Sequence, residues 1–537
     1  MSIISQGKLD EANAYLEKAK ESITSRSDVP LYNGINLNEH RLIIIGINQA
    51  TILSKKGRFE EAIEMLKDTE IICRRLGEMR SLINLLSNKA RDLMDLNRYE
   101  EAFEAIIEGE ELSRELMMDS NLIIILETKA DLLDRKENFE ESVNVRDELI
   151  ILYKKNNKRE AMVQNLNKQA KYFLDIEEYN YAIAKFELAE QFAVELENNE
   201  WLPRTLNNKA AALIETGRIL EAQSLCEKAK RHCNKTTQAW DFYHILRNQA
   251  IIALKQERWS QSLEILKEQE ILCNSLNNNE FYADTLNLQI TVLKKLDQFK
   301  EALSKLEKLE PILKELNNSN GLQNNLSDQA DIYWHKLLDH DKAISLYQNV
   351  EKICRENKLT NKLQKCLGNL AVLLMGKGED ELSMNLLQEQ EEICRTLENM
   401  SGLQLSLGNQ GALYVKHGYY DSGMEKLEEQ EKICLQINDL KGLQGALLNQ
   451  GIIQRSRKKL QKAYDKFTRA LNICEQIKFY HGQIICLINI SQLFIENDDL
   501  KPVAIKMANQ ACILTTKHGL TELKKQAEDN LERLLAK

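Results

Sequence analysis

Small and apolar residues repeat along the chain with a period of about 40 residues. The clearest mark of this period is one small residue, here called the anchor, which follows an acidic pair in phrases such as FEEA and YEEA. Self-similarity at this period is typical of a repeat array rather than of a string of independent domains. The anchors are Ala12, Ala62, Ala102, Ser142, Ala182, Ala222, Ser262, Ala302, Ala343, Ser383, Gly423, Ala463 and Ala504.

Each unit predicts two helices joined by a tight turn. Apolar residues recur at steps of three and four on both sides of the turn, which is the helical period. A second small residue stands twelve positions before the anchor, as at Gly411, and a glycine often stands five before it, as at Gly418. The glycine can supply the left-handed conformation that ends the first helix. The pattern therefore predicts an all-α solenoid of about thirteen helical hairpins, which stabilise one another by stacking.

The anchor spacing also predicts the boundaries. Residues 1–24 are predicted to be an incomplete first repeat, which is either a frayed half-repeat or part of a longer protein. A loop insertion at 25–39 explains the long step from Ala12 to Ala62. A continuous array is predicted over 40–516, followed by a C-terminal capping helix at 517–537. Steps of 41 residues indicate single-residue insertions, one before Ala343 and one near 497–500.

The array resembles the tetratricopeptide repeat (TPR) family. The small pair Gly411 and Gly423, the intervening Gly418 and the aromatic Tyr420 carry the resemblance. It implies a right-handed superhelix, with first helices along a concave groove that takes a protein or peptide. The units exceed the roughly 34 residues of the plain repeat and lack its closing proline. In this they are similar to kinesin light chains and Pins-type adaptors, and also to bacterial TPR regulators and TPR signalling proteins.

Composition narrows the classes of partner and compartment. The formal net charge is −10 and no basic stripe is present, which disfavours nucleic acid as a partner. No apolar run approaches the roughly 20 residues that a membrane span needs. No signal peptide is visible at the N-terminus. We therefore expect a cytoplasmic protein that binds neither nucleic acid nor membrane.

The sequence gives no candidate catalytic residue, metal site, cofactor site or small-molecule substrate site. Equivalent positions of packed helices lie roughly 8–10 Å apart, so a row of cysteines at one repeat position cannot converge on a metal or form disulfides. We interpret these cysteines as small apolar residues in a helix seam, within a reducing compartment. They stand eleven positions after the anchor: Cys73, Cys233, Cys273, Cys354, Cys394, Cys434 and Cys474.

One polar position recurs where the resemblance places the groove. It holds Asn in the middle of the first helix, where Asn is disfavoured. The amide offers one acceptor and two donors, the complement of a peptide backbone. The resemblance is to the asparagine ladders of kinesin light chains and O-GlcNAc transferase, which hold extended peptides. The alternative is that each Asn bonds a neighbouring helix. The row comprises Asn48, Asn88, Asn208, Asn248, Asn369, Asn409, Asn449 and, after the insertion, Asn489.

The row is uninterrupted only in the last third of the chain, from Asn369 to Asn489. Small and apolar residues stand three positions after its first three members, at Val372, Ala412 and Ile452. Such a lining would let a peptide main chain approach closely and bury its side chains. These residues are therefore the predicted peptide-binding set, with Asn48, Asn88, Asn208 and Asn248 as its extension.

The predicted function is that of a non-enzymatic scaffold that holds an extended partner segment in the groove. The alternative is the recognition or sensor arm of a larger signalling protein, such as a nucleotide-dependent switch or a caspase-like protease. In that case the catalytic part lies outside this sequence.

Overall fold

The computed structural model describes residues 9–24, 31–32, 35–196, 200–494 and 500–536. Within them lie 26 α-helices, one π-helical turn and two strands of two residues each. The chain divides into two compact units, residues 1–276 and 277–537. Each unit is an all-α, TPR-like row of six helical hairpins, with one further helix, α1, in the first unit and one, α26, in the second.

The first unit contains α1 to α13. Helix α1 is followed by strands β1 (Leu31–Tyr32) and β2 (Ile35–Asn36), which pair antiparallel. The helices are α1 (Leu9–Thr24), α2 (Leu37–Lys55), α3 (Phe59–Leu76), α4 (Met79–Asp95), α5 (Tyr99–Glu115), α6 (Asp119–Arg135), α7 (Phe139–Lys155), α8 (Arg159–Asp175), α9 (Tyr179–Val194), α10 (Trp201–Glu215), α11 (Ile219–His232), α12 (Ala239–Lys255) and α13 (Trp259–Leu276).

The second unit contains α14 to α26. Even-numbered helices from α2 to α24 are the first helices of the hairpins, and the odd-numbered helices that follow them are the second helices. The helices are α14 (Asn279–Lys295), α15 (Phe299–Glu315), α16 (Ser319–Ile332), α17 (His340–Glu356), α18 (Thr360–Lys377), α19 (Asp380–Thr396), α20 (Met400–Lys416), α21 (Tyr420–Gln436), α22 (Leu440–Ser456), α23 (Leu460–Gln476), α24 (Tyr480–Leu493), α25 (Lys501–Lys517) and α26 (Thr521–Ala536).

The turn inside the hairpin is made by one left-handed residue. Gly217 and Gly418 both have φ of 76°, which confirms the predicted helix-ending role of this glycine. Other hairpins reach the same conformation without glycine, as at Asn97 (φ 59°) and Glu137 (φ 57°). The turn position therefore tolerates side chains, and glycine marks it in only some repeats.

The anchors lie where the two helices of a hairpin touch. Ala62 and Ala302 are fully buried, and Ser262 and Ser383 are too. The Ser383 hydroxyl donates to the carbonyl of Ala371, twelve residues earlier, at 2.9 Å. The same bond joins Ser262 and Ala250. Small residues at these two positions therefore bring the helices together, as the spacing predicts.

The extra residue before Ala343 is absorbed by a change of helix type. After α16 the chain forms a π-helical turn, Tyr333–Leu337, which ends at Leu338 with φ 55°. A π-turn holds one more residue per turn than an α-helix. The hairpin therefore keeps its register. The other predicted insertion, at 497–500, lies almost wholly outside the described residues.

Several predicted boundaries fall partly outside the described residues. Of the incomplete first repeat the structure describes α1, but not residues 1–8. Of the loop insertion at 25–39 it describes the two short strands and the start of α2 at Leu37, but not 25–30 or 33–34. Helix α26 occupies most of the predicted capping segment. The boundaries themselves remain predictions.

Glutamates on the second helices link neighbouring hairpins. The Glu391 carboxylate accepts from Lys426 at 2.8 Å, from Arg395 at 2.8 Å and from Gln410 at 2.7 Å. Burial alone would raise the pKa of Glu391, but these hydrogen bonds outweigh it and lower the pKa. Arg395 also pairs with Glu429 of the next hairpin at 2.8 Å. These carboxylates are structural ion-pair partners.

Among the helices that the structure describes, none is both long and apolar enough to cross a membrane.

Candidate functional site

The Asn row of the second unit lies on the first helices α18, α20, α22 and α24. The 40-residue step places each Asn at the equivalent position along its helix. Asn369, Asn409 and Asn449 are half-buried, whereas Asn489 is only 8% exposed. The four share a repeat position, but their surroundings differ.

Two of the four are free to bind. The side chains of Asn409 and Asn449 have no hydrogen-bond partner within the part of the chain that the structure describes. The other two are engaged. Asn369 Nδ2 donates to the Tyr347 hydroxyl at 2.9 Å, and that hydroxyl donates to Asp331. The row thus combines open amides with amides that brace the helices.

Asn489 is held by its own scaffold at both ends of the amide. Its Nδ2 donates to the carbonyl of Ile485 at 2.9 Å. Its Oδ1 accepts from Arg455 Nη1 at 2.9 Å. Arg455 comes from the preceding first helix, so this Asn links α22 to α24. This is the geometry of the scaffold alternative, found at one end of the row.

Two clefts run side by side along the row. The first lies between α18 and α20, has a volume of about 800 Å³ and is lined by Asn369, Val372, Leu405 and Asn409. The second lies between α20 and α22, has a volume of about 320 Å³ and is lined by Leu405, Asn409, Ala412 and Asn449. Leu405 and Asn409 belong to both, so the clefts adjoin at α20.

Five predicted residues line these clefts, namely Asn369, Val372, Asn409, Ala412 and Asn449. Two predicted residues do not line either of them. Asn489 is tied to Arg455, and Ile452 is half-buried and packs against the apolar cluster around Phe467.

The floor of both clefts is made of buried glutamines that the sequence reading missed. Gln390 and Gln430, from the second helices, are 3% and 5% exposed, and each has a side-chain oxygen without a hydrogen bond. The sequence does mark these glutamines as a repeat position, because Gln stands seven positions after the anchor in the phrases KEQE, QEQE and EEQE.

The glycines before the Asn make room for these glutamines. A Cβ on Gly368 would lie 2.7 Å from Gln390 Nε2, and a Cβ on Gly408 would lie 2.4 Å from Gln430 Nε2. Both distances are far inside van der Waals contact. The space gained by having glycine there is thus occupied by an amide from the second helix, and the cleft floor is polar rather than apolar.

A chain of side chains fixes the second cleft. Gln430 Nε2 donates to Gln404 Oε1 at 3.2 Å, and Gln404 Nε2 donates to Asp439 Oδ2 at 2.9 Å. Asp439 Oδ1 accepts the backbone N–H of Gly442 at 3.0 Å, at the start of α22. The Cys434 thiol lies 3.6 Å from Gln404 Oε1. These hydrogen bonds therefore hold the wall of the second cleft in place without a ligand.

The cysteine row lies in the seams between helices. Cys73, Cys394 and Cys434 are at most 1% exposed, and only Cys233 is half-buried among the seven. Burial raises the pKa of Cys394 to about 11 and that of Cys434 to about 12, so both remain thiols at neutral pH. Within the described residues, no group of three His, Cys, Asp or Glu side chains could hold a metal.

Cys434→Ala is expected to lower the free energy of unfolding by about 1 kcal/mol, because it leaves a small cavity beside Gln404. Cys394→Ala should behave alike. Urea denaturation followed by circular dichroism measures the loss. Cys233→Ala, at the half-buried position of the same row, is the control and should cost less. Zinc bound in proportion to protein, or a changed affinity for a groove ligand, would contradict this role.

The Asn residues of the first unit are also mixed in their contacts. Asn48, Asn88 and Asn208 are half-buried and make no side-chain hydrogen bond to the residues described. Asn248 is 6% exposed and donates to the backbone and side-chain oxygens of Asn207 at 3.2 and 2.9 Å. Where the row breaks, Thr128 bonds Ser87 at 2.8 Å and Lys168 pairs with an aspartate. Asn48 and Asn88 are thus a second pair of open amides on successive first helices, α2 and α4, whereas Asn208 is followed by the engaged Asn248.

No protein-family model matches the sequence, and no curated protein matches it significantly. Solved structures do resemble the fold. A Signal Transduction ATPase with Numerous Domains (STAND) protein with a tetratricopeptide repeat sensor, from Pyrococcus horikoshii, matches with 14% identity over 64% of this chain and 55% of that chain, with a TM-score of 0.45. The present chain thus spans little more than half of that protein's length.

Two other structures are similar over different extents. BtubC (BKLC) from P. vanneervenii is 20% identical over 43% of this chain and 92% of that chain, with a TM-score of 0.36. A chain of the APC/C hetero-tetramer Cut9–Hcn1 is 14% identical over 99% of this chain and 95% of that chain, with a TM-score of 0.40. These likenesses concern the fold alone.

Proposed function

We propose that this chain is a non-enzymatic protein-interaction scaffold that holds an extended peptide segment across α18, α20 and α22. The observation that carries the proposal is the pair Asn409 and Asn449. Both are half-buried at mid-helix, both lack a hydrogen-bond partner among the described residues, and both line adjoining clefts. Asn is disfavoured in a helix interior. Hydrogen bonds to a ligand outside the helix would explain why two Asn side chains without partners stand at one repeat position.

A peptide main chain is the ligand that fits this lining. An extended strand presents a donor and an acceptor at regular intervals, and each Asn amide can meet both. Val372, Leu405 and Ala412 offer apolar contacts between the amides. Asn369 Nδ2 uses one of its two N–H donors on Tyr347, so Asn369 keeps one donor and its carbonyl oxygen for a ligand. We therefore place the central contacts at Asn409 and Asn449 and assign Asn489 to bracing.

Replacing Asn409 and Asn449 together by Ala is expected to weaken peptide binding without lowering the melting temperature. The hydrogen bonds of each Asn are together worth about 0.5–1.5 kcal/mol net. Loss of both Asn side chains should therefore raise Kd roughly 5- to 150-fold. The ligand is a binder selected on the full-length chain from a displayed library of unstructured peptides. Fluorescence anisotropy gives Kd and circular dichroism gives the melting temperature.

Asn489→Ala is the matched control. Its amide bonds Ile485 and Arg455, so this variant should lower the melting temperature and leave Kd nearly unchanged. Proline scanning of the peptide adds a second test, since proline removes a backbone donor. A double variant that melts earlier but binds as before would show that Asn409 and Asn449 hold helices together, and the proposal would fail.

A further inference from the structure

The third hairpin of the first unit, α6–α7, departs from the repeat in its interior. Four positions after the anchor the other hairpins have apolar or aromatic residues such as Ile106, Phe186 and Tyr347, but this one has Arg146, which is 4% exposed. Eleven positions after the anchor, where Cys73 and Ala193 stand in other hairpins, it has Tyr153, which is 3% exposed. A long cation and a phenol thus replace small or apolar core residues.

These two side chains reach toward carboxylates on α6. Arg146 Nη2 donates to Asp134 at 2.6 Å and to Asp131 at 3.4 Å. The Tyr153 hydroxyl donates to Glu127 Oε1 at 2.7 Å. Burial and the Glu127 carboxylate raise the pKa of Tyr153, so its phenol remains a donor. From α8, Lys168 Nζ donates to Asp131 Oδ1 at 2.8 Å. The network holds the carboxylates of α6 in place.

A cavity of about 270 Å³ lies against this network, and we call it the polar cavity. Asn165 of α8 lines it and is 3% exposed. Neither Nδ2 nor Oδ1 of Asn165 forms a hydrogen bond of good geometry, although the Tyr153 phenol lies beside this side chain. Leu85 and Ile125 occupy the same repeat position in the two preceding hairpins, where they are buried and apolar, and Thr205 occupies it in the following hairpin. A buried amide without partners is unfavourable, and here it faces a space that a polar ligand can fill.

The unused groups around the polar cavity carry both signs of charge. Arg91 is an exposed residue that lines the cavity, and its guanidinium has no carboxylate within ion-pair distance among the described residues. Glu127 and Asp131 line it as well, and each has one carboxylate oxygen outside the network above. A simple anion would meet those carboxylates, and a simple cation would meet Arg91, Arg146 and Lys168. A small ligand with both charges satisfies all of these groups.

We propose that the polar cavity binds a free α-amino acid. The amino-acid carboxylate lies at Arg91 and the Asn165 amide. Its ammonium group lies at Glu127 and Asp131. The Asn row is broken at Thr128 and Lys168, so this site occupies a stretch of the first-helix face that the peptide proposal does not use. The inference stands independently of the proposed scaffold function.

Titration calorimetry of the full-length chain with each standard free L-amino acid, up to about 10 mM, tests the site. At least one amino acid should bind saturably. Its N-acetyl amide, which lacks both charges, should not bind. Arg91→Gln should weaken binding about tenfold or more, because it removes a charge-assisted contact to the carboxylate. Arg80→Gln, the same substitution at an exposed arginine on the same helix and outside the cavity, is the matched control and should bind normally.

Asn165→Leu introduces the apolar residue type of the two preceding repeats and separates ligand binding from folding. It should abolish binding and raise the melting temperature of the free protein, because an unpaired buried amide is removed. The proposal is overturned if no free amino acid binds, if the blocked amide binds as well as the free form, or if Arg91→Gln leaves affinity unchanged. Binding of inorganic phosphate alone would likewise overturn it, since that ligand carries no ammonium group.

Discussion

Two glycine-to-alanine substitutions on the same helix, α22, are expected to change stability in opposite directions. A Cβ on Gly451 would lie 2.5 and 2.6 Å from two ring carbons of Phe467, which is fully buried. Gly451→Ala should therefore lower the free energy of unfolding by about 1–3 kcal/mol through overpacking. A Cβ on Gly445 meets no atom within 4 Å. Gly445→Ala should raise stability by about 0.5–1 kcal/mol through reduced backbone freedom in the unfolded chain.

A compensating change identifies the cause of the loss. At the same two repeat positions α18 and α19 place Ala371 and Leu387, which share an apolar cluster. Phe467→Leu in the Gly451→Ala background recreates that pair and should recover much of the loss. A double-mutant cycle in urea, read by circular dichroism, measures the coupling. Equal effects of the two glycine substitutions, or a cycle without coupling, would contradict the packing explanation.

The pairing of glycine with a larger partner explains why the hairpin could be predicted from sequence. Small residues at the anchor and twelve positions before it allow the two helices of one hairpin, which are adjacent in the chain, to pack closely. That information is contained within one repeat, so the period alone predicts the helices, the turn and the buried anchors. The same count predicts one extra residue before Ala343, but not the π-helical turn at Tyr333–Leu337 that accommodates it.

The contacts of the candidate site depend on residues far apart in sequence. The repeat pattern did not predict these contacts. Asn409 and Asn489 occupy the same repeat position, yet only Asn489 meets an arginine, Arg455, from the preceding first helix. Gly368 and Gly408 leave space beside the Asn row, and Gln390 and Gln430 fill it from the second helices. A repeat position specifies where a side chain stands, but its partners lie in the neighbouring repeat and vary along the chain.

Exceptions to the repeat were more informative than its regular positions. In one hairpin Arg146 is a charged residue in a row of apolar and aromatic residues, and Tyr153 is a large residue in a row of mostly small ones. The polar cavity lies beside them. Asp92 breaks a third row, since Ile52 and Leu132 stand at its equivalent positions and are buried. In a solenoid whose core is copied from unit to unit, a buried polar exception must be satisfied locally or reduce stability.

Asp92→Asn is expected to stabilise the protein by about 3 kcal/mol near neutral pH. The carboxyl of Asp92 is 3% exposed, and burial raises its pKa to about 6, against the lowering effect of the 2.9 Å hydrogen bond from Ser54. The ordinary unfolded value is about 3.9, and each pKa unit corresponds to about 1.4 kcal/mol. Because the folded pKa of this acid is the higher one, ionisation destabilises the folded state. That cost is absent below about pH 4, grows as the pH rises to about 6 and is constant above.

The difference between Asp92→Asn and the unchanged protein should therefore be small at about pH 4 and full at about pH 7.5. Urea denaturation at both pH values, followed by circular dichroism, measures it, and hydrogen exchange of α4 shows where the added protection lies. Asp175→Asn, an exposed carboxylate at the end of α8, is the control and should change stability by only a few tenths of a kcal/mol at either pH. A stabilisation by Asp92→Asn that is the same at both pH values would show that packing, and not the buried charge, is what the substitution relieves.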